Sequence, residues 1–112
     1  MTLNAEEISL RCQGAGPAWT IDWASETILF QDASHLDDDY FTVSKATSAA
    51  GYVTDFVRVF WAKSQKGNEK LQLVLVRDST CTSEADAEYT HEVILVVSDP
   101  AYNDVVLYGC CS

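Results

Sequence analysis

Basic residues are scarce in this chain. Lys and Arg number 7 against 17 Asp and Glu, for a net charge of −10. That disfavours nucleic acid as a partner, because such binding draws on clustered Lys and Arg that displace counterions. Anionic lipid surfaces are disfavoured by the same deficit. Long hydrophobic runs are missing too: no stretch approaches the ~18 apolar residues of a membrane-spanning helix. Met1–Glu7 lacks the basic-then-apolar pattern of an export signal. If the protein is exported, its signal has been removed and Met1 stands in its place.

The motifs of common chemistries are also missing. There is no Cys-x-x-Cys for redox exchange, and no paired Cys or His spacing for a structural zinc. No serine stands in a Gly-x-Ser-x-Gly elbow, and no glycine-rich phosphate loop is present. The two histidines, His35 in an acidic loop and His91 at the start of a strand, offer no nucleophile–base pair. The expectation is a protein that is not an enzyme, with no catalytic, cofactor-binding or resident metal site.

What is present is a 47% apolar composition in 112 residues, enough for one core and a single domain spanning 1–112. A core of this size benefits from bracing. The dominant rhythm is apolar alternation with period two, the signature of strands. Ile8, Leu10 and Cys12 share one face, and Trp19, Ile21 and Trp23 alternate with polar neighbours. Further strands are expected at 27–31, 40–44, 52–62, 71–77, 89–98 and 105–110, with 45–51 a loop of small and polar residues. Lys66-Gly67-Asn68-Glu69 forms the turn of one hairpin, and Asp99-Pro100 with Asn103-Asp104 flanks that of another. Ser83–Glu88 has room for one helical turn. About eight short strands predict an all-β fold, a small antiparallel barrel or sandwich.

The four cysteines, Cys12, Cys81, Cys110 and Cys111, form an even set that points to disulfides in an oxidising compartment. Adjacent cysteines rarely bond each other, since their Cα atoms lie only ~3.8 Å apart. Two pairings remain, and both tie the C-terminal dipeptide to Cys12 and Cys81. Side chains alternate along a strand, so Cys111 shares the face of Val105 and Leu107, and Cys110 that of Val106 and Tyr108. Val105 and Leu107 look core-like, as do Ile8 and Leu10 beside Cys12. Facing thus favours Cys12–Cys111 and Cys81–Cys110.

Two further groups invite a functional reading. Asp32, His35, Asp37, Asp38 and Asp39 carry hard oxygen ligands suited to calcium, but without the EF-hand spacing or its glycine, so a solvated loop is expected. Trp19, Trp23 and Trp61 could line a binding platform, but their bulk makes core positions the expectation.

The run Arg11-Cys12-Gln13-Gly14-Ala15-Gly16-Pro17-Ala18-Trp19 resembles the opening R-C-x-G-T-E-P-F-W of an uncharacterised bacterial family of envelope or lipoprotein-associated proteins. Cys81 through His91 and the closing Gly109-Cys110-Cys111 are similar to that family's later cysteine segment and terminal Gly-Cys. Ala15-Gly16 stands where the family has Thr-Glu, and Ala18 where it has Phe. The resemblance implies a periplasmic or cell-envelope location and brings no activity with it. The expected function is a non-catalytic binding or structural module whose partner is a small ligand or a basic protein. The alternative is an inhibitor of a basic secreted enzyme such as C-type lysozyme, steered by the −10 charge.

Overall fold

A computed structural model describes residues 8–14, 18–32, 39–51, 56–77, 81, 89–99 and 104–112. Eight strands follow in chain order: β1 (Ser9–Gly14), β2 (Trp19–Ala24), β3 (Thr27–Asp32), β4 (Asp39–Ser48), β5 (Val57–Ser64), β6 (Lys70–Arg77), β7 (His91–Ser98) and β8 (Val105–Cys111). Each pairs antiparallel with the next, and β8 pairs with β1 to close the barrel. The architecture is an up-and-down barrel, which leaves no open sheet edge among the described strands.

Alternation decides what fills it. Ile21, Trp23, Ile28, Phe41, Phe60, Leu71, Leu73, Leu75, Val93 and Leu95 are buried inside the barrel. The ring of Phe60 meets Trp23 edge-on at 4.6 Å between centroids, a favoured aromatic geometry. Trp23 Nε1 donates to the Ser25 carbonyl at 3.1 Å, so its one polar atom is satisfied. Ser25 takes φ 56° in the turn between β2 and β3, and its amide donates to the Ile8 carbonyl. That contact holds the chain entering β1 against the barrel.

The strands differ from the sequence expectation in three places. β4 runs on to Ser48, through residues read as loop. A register shift between Val43 and Lys45 explains it. Phe41 and Val43 face inward before this bulge; after it, Ala46 packs against the core and Lys45 lies outside. One inserted residue reverses the alternation and hides the strand from a period-two reading. β5 begins at Val57 and β7 at His91, each later than expected, and residues 52–55 lie outside the described set. The helical turn expected at 83–88 also falls outside it.

Candidate functional site

Two features distinguish this barrel: the seam where it closes, and one side of its exterior. At the seam the ladder is short, pairing only Cys12 with Cys111 and Gln13 with Cys110. Backbone hydrogen bonds in both directions between Arg11 and Ser112 flank it. Cys12–Cys111 is therefore the neighbouring pair without hydrogen bonds, where antiparallel Cα atoms approach most closely. Its Cα–Cα distance is 4.0 Å, and the two sulfurs are bonded across the seam. Cys110 points the other way and bonds Cys81 outside the barrel. Every cysteine is thus paired, in the combination that facing favours. Tyr89 packs over the second bridge, and its hydroxyl accepts from Gln13 Nε2 at 2.6 Å. The seam is covered inside and out.

Trp19 completes the closure. It is buried, and its indole lies against Gly14 of β1 and Gly109 of β8. A Cβ on Gly109 would stand 2.6 Å from Trp19 Cζ2, and one on Gly14 2.7 Å from Cε2. These distances leave no space for a side chain, so glycine is required at both positions by close approach.

The second feature is the outside of β5 to β8. The register aligns Trp61, Gln72, Val96 and Val106 in one outward row, and Val59, Val74, Ile94 and Tyr108 in the next. A third row begins with Val57 and Val76 and ends at Glu92 and the bridged Cys110. Val106 is 66% and Tyr108 52% exposed, and the other apolar members of the first two rows are half-buried. Tyr108 donates to the Glu92 carboxylate at 2.8 Å. Contiguous apolar exteriors of this kind mark interaction surfaces. Trp61, expected in the core, is on this face with the Lys45 ammonium 4.9 Å from its ring centroid. Val105, expected to be core-like, is 49% exposed at the barrel end.

Trp23, like Trp19, is core, so the three tryptophans do not form one platform. His91 opens β7, hydrogen-bonded through Nδ1 to Thr90 Oγ1 at 2.7 Å. Of the proposed calcium loop, residues 33–38, His35, Asp37 and Asp38 among them, lie outside the described set. Among the described residues no group of three His, Cys, Asp or Glu is placed to hold a metal. Lys63, Ser64, Gly67, Asn68, Glu69 and Lys70 line a shallow depression at the β5–β6 turn.

The outer face was missed in the sequence, although a signal was there. Leu73–Val76 and Val93–Val97 are unbroken apolar runs. Such runs belong to strands whose two faces are both apolar.

Fold and site together define an eight-stranded up-and-down β-barrel, closed by a disulfide across its seam and apolar on one side of its exterior. The chain matches no protein-family model, no curated protein and no solved structure.

Proposed function

We propose that this chain is a non-catalytic binding module of the bacterial periplasm or cell envelope that works through the outer face of β5–β8. The observation that carries the reading is the pair of apolar rows, ending at the well-exposed Val106 and Tyr108, on an acidic molecule. Burial of such rows against a protein is favourable by roughly 25 cal/mol per Å² of apolar surface. Interior positions are filled by large side chains, so the exterior is the natural place for recognition. Two disulfides and no free thiol fit an oxidising compartment.

A photo-crosslinking amino acid at Val106, activated in the native compartment, tests this reading. The expected result is a discrete covalent adduct that a probe at Thr20, on the outside of β2, does not give. No adduct from Val106, or equal labelling from both positions, overturns it.

A further inference from the structure

The two hairpins that share the apolar face carry opposite charge. Residues 57–77, β5 through β6, hold Arg58, Lys63, Lys66, Lys70 and Arg77 against Glu69 alone. Arg58 and Arg77 have inward parity and Lys66 lies in the turn, so the face itself carries Lys63 and Lys70. Residues 89–112, β7 and β8 with their connection, hold Glu92, Asp99 and Asp104 and neither Lys nor Arg. At one end of the face Lys63 and Lys70 stand directly opposite each other across β5 and β6. Like charges so placed are destabilising within a monomer. At the same end, Lys70 pairs with Ser98 on β7, next to Asp99, and Asp104 immediately precedes β8. The charged row therefore lies at one end of the face, basic on β5–β6 and acidic on β7–β8, with the two apolar rows beside it.

Such a face is complementary to itself. A two-fold axis lying along the strands, between β6 and β7, superposes the β5–β6 side of one copy on the β7–β8 side of the other. Lys63 and Lys70 then meet Asp99 and Asp104, while Trp61 meets Val106 and Val59 meets Tyr108. A two-fold across the strands would instead set each hairpin against itself and leave the charges unmatched. Resting on the reading that this face binds protein, we infer that its partner is a second copy of this chain, docked face to face about the strand-parallel two-fold.

Strand and residue spacings give the face about 400 Å² per copy. A dimer closing on it covers on the order of 800 Å² in total, below the 1,200–2,000 Å² of stable interfaces. The association is accordingly weak and reversible, as transient contacts of this size are.

Sedimentation of the oxidised protein up to about 1 mM tests the inference. The expected result is a reversible monomer–dimer equilibrium that Val106→Asp abolishes while circular dichroism and both disulfides are retained. The pair K63E/K70E and D99K/D104K reads the axis independently. Each variant alone is expected to be monomeric, and an equimolar mixture is expected to dimerise at least as strongly as the parent. A parent that stays monomeric, a dimer indifferent to Val106→Asp, or a mixture without recovery overturns the inference. A monomeric parent whose Val106 probe still captures a protein of another mass refutes self-association alone and leaves the binding-module reading standing. If the Val106 probe captures nothing, both fail.

Discussion

The two halves of the barrel are alike inside and unlike outside. In β1–β4 the outward positions are mostly polar: Arg11 and Gln13, Thr20 and Asp22, Thr27 and Gln31, Thr42 and Lys45. In β5–β8 they are mostly Val, Ile, Trp and Tyr. Inward positions at the core are apolar in both, as in Ile21 and Ile28 of the first half and Leu73 and Val93 of the second, with half-buried Arg58 at the core's edge, 5.6 Å from the Phe60 ring centroid. A membrane-spanning barrel shows the inverse arrangement, apolar all round outside and polar within. Folding requires the inner pattern alone. The outer difference carries information beyond the fold, and for that reason the functional reading rests on it.

Several substitutions separate what the halves share from what divides them. Replacing Cys12 and Cys111 together by Ser opens the seam where the halves meet. The bridge spans 99 residues, and chain-entropy reckoning puts its loss at about 4.7 kcal/mol. Removing Cys81–Cys110, which spans 29 residues, is expected to cost less, about 3.6 kcal/mol. Denaturant titration of both double variants checks the order. Next come inward truncations, which should ignore the division. Phe60→Ala in the second half is expected to cost about 3–5 kcal/mol and Ile21→Ala in the first about 2–5. A systematic gap between inward positions of the two halves would mean that the core is not shared.

Gly109→Ala puts a methyl group onto the Gln13 carbonyl oxygen and 2.6 Å from Trp19 Cζ2, so the seam backbone itself must shift, at a cost of about 3 kcal/mol, the upper end of overpacking. Trp19 fluorescence during unfolding would register it. Outward changes should matter least to stability. Val106→Thr is expected within about 0.5 kcal/mol of the parent, although it sits on the proposed interface. Asp22→Asn, which breaks the exposed Arg11–Asp22 pair of 2.8 Å, is expected within the same margin. Calorimetry resolves both, and a loss above 1 kcal/mol at Val106 would show that the outer face supports the fold itself.

Much of the architecture was legible because period-two alternation is a direct imprint of a pleated sheet with one apolar side. Trp19, Ile21 and Trp23 announce β2, and the cysteine pairing follows from the same parity in β8. Legibility failed where the phase broke. β4 is invisible past the bulge, since Lys45 and Ala46 exchange the sides that simple alternation assigns them. Val105 has inward parity but lies at the barrel end, where no layer covers it. The outer face escaped notice for a different reason. When both sides of a strand are apolar, composition records the excess without saying where it points. Only the register, which sets Trp61 beside Val96 through Gln72 and brings Val106 alongside, turns scattered valines into a surface.

The neighbouring Cys110 and Cys111 also act as a key for strand alignment. One is fastened inside the wall and the other outside it. Sliding β8 by a single residue would exchange their sides and turn Leu107 out to water while driving Val106 and Tyr108 inward. The swapped isomer, Cys12–Cys110 with Cys81–Cys111, would thus belong to an inverted last strand. With both bonds formed the slipped barrel is unreachable until one bridge is opened and thiol–disulfide exchange moves the other.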